Sequence, residues 1–276
     1  MTLQIVDIPY VSPSALSTLT TCERQWWWSY VMGRKSPSTE ATAMGHGFAT
    51  ALETGSLGRG VEDYYAVRPQ PDDWTDPEVD ARHAEVARAT IKHAYRGYTT
   101  RWPDADTTRE VTYLVDVEDC ERVLQVRVDG VTPTHLIEDK LRAGSSLRSD
   151  DITNEVMQGR QLTAEVYAHW RKTGEIVPVH LRCMKKCDPR KWRAVAQAKI
   201  DAVIGEHFEA PGAFNEYIAT RTLDQLKAFE VELKDAITRV GMLDFDDRPR
   251  GVRNTSACHL YGRPCPALSE CQGRAG

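Results

Sequence analysis

Asp129, Glu138 and Lys140 are the residues of this chain whose types and spacing point most directly to chemistry. They lie in VLQVRVDG and HLIEDKL. Strand side chains alternate with a period of two, so Asp129 ends the polar face that carries Gln125 and Arg127. By the same rule Glu138 and Lys140 share one face with Leu136. A carboxylate and an ammonium two residues apart, beside an aspartate that ends the neighbouring strand, make a candidate Mg2+ or Mn2+ site. Hard cations take oxygen ligands, and metal-assisted phosphodiester hydrolysis needs an activated water plus positive charge where the phosphorane develops. By itself, a Glu-x-Lys pair on a strand is more often a solvated salt bridge than a metal site.

The cysteines form a second set. CHLYGRPCPALSEC places Cys258, Cys265 and Cys271 near the end of the chain, enough thiols to begin a metal site and one short of completing it. Zinc ligands usually come in closely spaced C-x2-4-C pairs, so these wider gaps suit a zinc ribbon poorly. Seven cysteines in a reducing compartment read as ligands or buried thiols rather than disulfides. Cys183 continues the apolar face of Val177, Val179 and Leu181 and is expected to be a buried thiol.

These residues need elements to position them. Ser12-Pro13 starts a helix over about 13–31, and further helices are expected at about 39–52 and 77–98, with a Pro/Asp-rich linker before the latter. Residues 110–117, 122–129 and 135–141 read as an antiparallel meander. A long helix follows at about 151–172, then the apolar strand EIVPVHLRCM and helices at about 189–207 and 221–239. The class is α/β or α+β with a small mixed sheet flanked by helices.

Composition sets limits. The apolar and charged fractions, 41% and 27%, are those of a globular protein, and the net charge of −5 argues against bulk coating of nucleic acid. One basic stretch, 182–199, holds seven Lys or Arg against Asp188 alone and reads either as a phosphate-contacting stripe or as a solvated face. With no leader pattern and no apolar run approaching the roughly 18 residues of a membrane span, a soluble, cytoplasmic protein is expected.

The frame VRVDGVTPTHLIEDKLRAG resembles the signature of PD-(D/E)XK nucleases, in particular the RecB-like branch that includes CRISPR-associated and phage exonucleases. SPSALSTLTTCERQWWWSYVMG is similar to that branch's opening helix, GHGFATALE to its Gly-x-x-x-His-type segment and TREVTYLV to its leading strand. The resemblance implies a restriction-endonuclease-like core at about 105–205 within one domain spanning 1–276. A helical region over 1–104 and a tail over 206–276 would be joined by an iron–sulfur cluster. It implies that His46, Asp129, Glu138 and the backbone carbonyl of Asp139 ligate the metal, and that Lys140 positions water and stabilises transition-state charge. Glu53 and Glu110 could support them or be solvated charges. MQGRQLTAEVYAHW resembles the branch's Gln-x-x-x-Tyr element, which gives Tyr167 and Gln161 roles in orienting the scissile strand. Thr163, not glutamine, stands four residues before Tyr167. The branch often holds a [4Fe-4S] cluster with one early and three late cysteines, which assigns Cys22 together with Cys258, Cys265 and Cys271. The implied activity is a Mg2+- or Mn2+-dependent DNA exonuclease, with a recombination or CRISPR-adaptation protein as a possible partner. The alternative is a nuclease-like module that binds DNA or a partner without cutting.

Overall fold

The computed structural model describes residues 10–34, 38–70, 76–103, 106–143, 149–244, 253–262, 265 and 268–271. A two-residue strand β1 (Tyr10–Val11) leads into α1 (Pro13–Thr21), whose N-terminus is capped by the Ser12 hydroxyl accepting from the Ala15 N–H at 3.2 Å. The expected single helix over 13–31 is instead broken at Cys22. That residue is extended, and the chain resumes as α2 (Glu23–Trp26) and a π-helical turn, Trp27–Val31. The break lets Cys22 leave the helix surface.

Next come α3 (Glu40–Thr54), α4 (Leu57–Val67) and α5 (Pro77–Arg101). Helix α4 is not evident in the sequence because LGRGVEDYYAV carries two glycines in its first turn. Gly60 meets Gly47 of α3 so closely that a Cβ on either would lie 2.3–2.5 Å from the other's carbonyl oxygen. Close approach of the two backbones lets Tyr64, Leu57 and Val67 of α4 share an apolar cluster with Ala43 and Met44 of α3.

The sheet is built from β2 (Thr108–Val115), β3 (Val123–Val131) and β4 (Leu136–Arg142), joined through α6 (Ser149–Gln158) and α7 (Arg160–Thr173) to β5 (Val179–Lys185). After α8 (Pro189–Arg193) and α9 (Ile200–Glu209), β6 (Phe214–Ala219) completes it, and α10 (Leu223–Asp244) and the short α11 (Leu268–Cys271) follow. Strand β3 pairs antiparallel with β2 and β4, β4 runs parallel to β5, and β6 lies antiparallel on β5's far side. The expected meander is present. Residues outside 105–205 add β1, which pairs parallel with β3, and β6.

Both faces of the sheet are covered. Leu124, Val126, Val128, Leu181 and Cys183 pack against Leu162 and Val166 of α7 and Phe229, Leu233 and Ile237 of α10. Met184 packs instead with Tyr98 of α5 and Ile200, Ile204 and Phe208 of α9. Neighbours Cys183 and Met184 therefore point to opposite cores, which is why β5 reads as a continuous apolar run. Cys183 is fully buried as expected, and burial pushes its thiol up to about 11. Arg182 is buried too, donating to Tyr98 and Glu216, which removes it from any phosphate-contacting stripe.

Candidate active site

The hairpin joining β3 to β4 is tight: the Thr132 N–H donates to the His135 carbonyl at 2.9 Å, and the Thr132 hydroxyl accepts from the His135 N–H at 3.0 Å. The ladder above it is only two pairs long, Val131 with Leu136 and Gly130 with Ile137. In that register the next pair would be Asp129 with Glu138. There the strands part, and the Asp129 carboxylate takes the place of a backbone acceptor, receiving the Asp139 N–H on Oδ2 at 2.8 Å. On the other side, the β2–β3 register runs from Arg109–Gly130 to Val111–Val128 and skips Glu110 opposite Asp129. Glu110 has a left-handed φ of 53°, a conformation that costs a non-glycine residue on the order of 1–3 kcal/mol. Asp129 thus sits where both ladders are interrupted.

Glu138 is 1% exposed. Its Oε1 accepts from Gln161 Nε2 at 2.6 Å and from the Lys140 ammonium, and Lys140 Nζ also lies 3.5 Å from Gln161 Oε1. Gln161 therefore ties the expected carboxylate to the expected lysine. It is held there by Arg221, which donates to Val156 O at 2.8 Å, Gly159 O at 3.3 Å and Thr163 Oγ1 at 2.7 Å across the α6–α7 junction. Burial would lower the lysine's pKa, but the Glu138 charge overcomes it and holds the ammonium protonated. Burial, with the Glu138 charge adding to it, pushes Asp129 up to about 7.

Asp139 points away from Glu138 and Lys140. Its Oδ2 accepts from Arg109 at 2.7 Å, and Arg109 and Arg182 both donate to the Tyr98 hydroxyl at 2.7 Å. Burial pushes Asp139 up to about 7 against the pull of Arg109. Helix α3 faces this side. Gly45, Phe48, Ala49, Leu52 and Glu53 close a cavity of about 50 Å³ over Glu110, Asp129 and Asp139, room for a few waters.

Two expected residues are placed elsewhere. His46 is exposed on α3, and its neighbour Gly45, not His46, lines the cavity. Tyr167 is fully buried in the core beside Phe229 and Trp170, its hydroxyl accepting from Arg171 at 2.9 Å. Helical geometry explains the second case: one turn after Gln161 stands Glu165, while Tyr167 projects toward α10. Glu165 is 0% exposed and was not singled out from the sequence, although its i,i+4 spacing from Gln161 was visible.

Away from this fork, Cys22, Cys258, Cys265 and Cys271 line one small pocket with Arg24, Trp28 and Arg253. Trp26 and Trp27 are buried, leaving Trp28 at the pocket wall. Among the described residues, no group of three or more His, Cys, Asp and Glu side chains is arranged to hold a metal ion.

A mixed sheet with helices on both faces, and an Asp/Glu-x-Lys set at the parting of two strands, define a nuclease of the restriction-endonuclease-like class. The family model of the PD-(D/E)XK nuclease superfamily matches residues 10–272, and the chain belongs to that superfamily. The crystal structure of the Putative exonuclease from Eubacterium rectale superposes with a TM-score of 0.55 at 14% identity, covering 97% of this chain and 94% of that one, and shows the shared fold. SSO0001 aligns with a TM-score of 0.41 at 13% identity over 99% of this chain and 91% of its own, and carries no argument. A search of the curated proteins finds no match. No helix among the described residues is long and apolar enough to cross a membrane.

Proposed function

We propose that the protein is a Mg2+- or Mn2+-dependent deoxyribonuclease of the RecB-like type that degrades DNA from its ends. The observation that carries this reading is the opening of the β3–β4 ladder at the Asp129–Glu138 position, with Lys140 and Gln161 gathered at the fork. The donor set suits a hard cation: Glu138 Oε2 is buried without a donor, and Asp129 is a carboxylate raised by burial and by a second carboxylate's charge. Asp129 and Glu138 would hold the ion, with the Asp139 carbonyl beside them. When bound, it would supply an acidified water and a Lewis acid at the scissile phosphate. Lys140 keeps its proton and offers positive charge beside that phosphate, while Gln161 fixes the rotamers of both neighbours.

The thiol pocket supports a [4Fe-4S] cluster on Cys22, Cys258, Cys265 and Cys271. Four cysteines lining one pocket are enough thiolates to hold such a cluster. The helical region over 1–104 and the tail over 206–276 would then be joined across the nuclease core at about 105–205. Anaerobic purification with a visible spectrum and iron and sulfide analysis tests this; colourless protein with stoichiometric zinc overturns it.

The test of catalysis uses end-labelled single- and double-stranded DNA with Mg2+ or Mn2+. The parent is expected to degrade it from the ends and Asp129→Ala to lose at least about a thousandfold in rate. Degradation that survives the substitution overturns the assignment. A recombination or CRISPR-adaptation protein is the partner proposed for this activity.

A further inference from the structure

Among the described residues, Glu165 alone has both side-chain oxygens buried without a donor. It projects from α7 and is 0% exposed. Beside it, Glu138 Oε1 is taken by Gln161 and Lys140 while Glu138 Oε2 is also buried without a donor. The two carboxyl groups lie within hydrogen-bonding reach of each other. Two buried carboxyl groups in contact cannot both be ionised with nothing between them, so they share a proton or a cation.

Hard cations take oxygen ligands, and the three oxygens left without a donor are all carboxyl oxygens. Mg2+ and Mn2+ do not need an all-protein cage: one or two carboxylates suffice, with water completing the shell.

We propose that Glu165 is a cation ligand, holding a divalent ion together with Glu138 on the α7 side of the fork. This rests on the reading of the same fork as a metal-dependent site and adds to it a ligand from the crossover helix. It also assigns the turn after Gln161 a definite job: Gln161 and Glu165, four residues apart on one helix face, would address the same catalytic carboxylate, one by hydrogen bond and the other through the ion.

The experiment measures Mn2+ binding to the full chain by the electron paramagnetic resonance signal of free Mn2+, with thermal melts of each metal-free variant. Glu165→Gln is expected to weaken Mn2+ by about tenfold or more and to melt no lower than the parent without metal, because it removes an undonated buried carboxylate. Glu165→Asp, which keeps the charge, is expected to bind Mn2+ more tightly than Glu165→Gln. Parental affinity in Glu165→Gln, or equal affinities in the two variants, overturns the proposal. If Asp129→Asn then still abolishes binding, the fork remains a metal site and Glu165 alone is excluded from it. Absence of Mn2+ binding by the parent overturns both readings.

Discussion

The fork and the thiol pocket are built in opposite ways. At the fork, Asp129, Glu138, Lys140, Gln161 and Glu165 come from β3, β4 and the crossover helix α7, within a short stretch of chain and on elements buried from both faces of the sheet. The thiol pocket brings Cys22 beside Cys258, Cys265 and Cys271, and the proposed cluster would close a loop of 235 residues between the first two. Short-range assembly on rigid strands fixes distances to the precision that chemistry demands. Long-range assembly adds little precision but removes much entropy from the unfolded chain. The fork should therefore govern rate and the thiol pocket stability.

Substitutions can break this division. The largest effect on stability is expected from Cys22→Ser. With the cluster in place, the loop-closure estimate for a cross-link of this span is about 5 kcal/mol, and cleavage per folded molecule should be unchanged. Denaturant melts paired with active-site titration check it. Next is Arg109→Ala, which leaves the Asp139 carboxylate buried without its cation and should destabilise by about 3 kcal/mol in a denaturant melt.

A smaller effect comes from pH. In the metal-free protein, Asp129 and Asp139 are each pushed up to about 7. A carboxyl raised in the folded state contributes stability that is complete below its unfolded pKa and is lost as pH rises through the folded value. Stability should therefore fall from pH 5 to pH 8 by about 2–3 kcal/mol for one such group. Saturating Mg2+ should restore the Asp129 part of the loss, since the cation binds the ionised form; melts with and without Mg2+ across this range test it. The smallest expected effect is that of Tyr167→Phe. The hydroxyl's bonds with Arg171 and Glu230 are lost, so stability should drop by about 1 kcal/mol and the cleavage rate should not change.

What the sequence made legible follows the same division. Strand alternation put Glu138 and Lys140 on one face and Asp129 at the end of a polar face, because a period of two leaves little freedom once the strands are found, and resemblance supplied their role. Helical residues were harder. Tyr167 rests on resemblance to a Gln-x-x-x-Tyr element, yet α7 turns its ring into the core and presents Gln161 and Glu165 to the fork. His46 rests on resemblance to a Gly-x-x-x-His-type segment, while the surface of α3 that meets the strands is made of Gly45, Ala49 and Leu52. Strands β1 and β6 were not read, the first because two residues carry no period and the second because FNEYIA mixes polar and apolar residues at a sheet edge. The association of Cys22 with the late cysteines came from resemblance, since no local pattern encodes a contact across 235 residues.

The central claim is that the fork separates binding the cation from stabilising charge on the phosphate. Lys140→Ala measures this most directly, with Mn2+ affinity and the degradation rate of end-labelled DNA determined on the same preparation. Removing the ammonium should leave Mn2+ affinity equal to or tighter than the parent's, while the rate falls by about a thousandfold or more. A variant that binds Mn2+ and degrades DNA at the parent's rate would contradict the account.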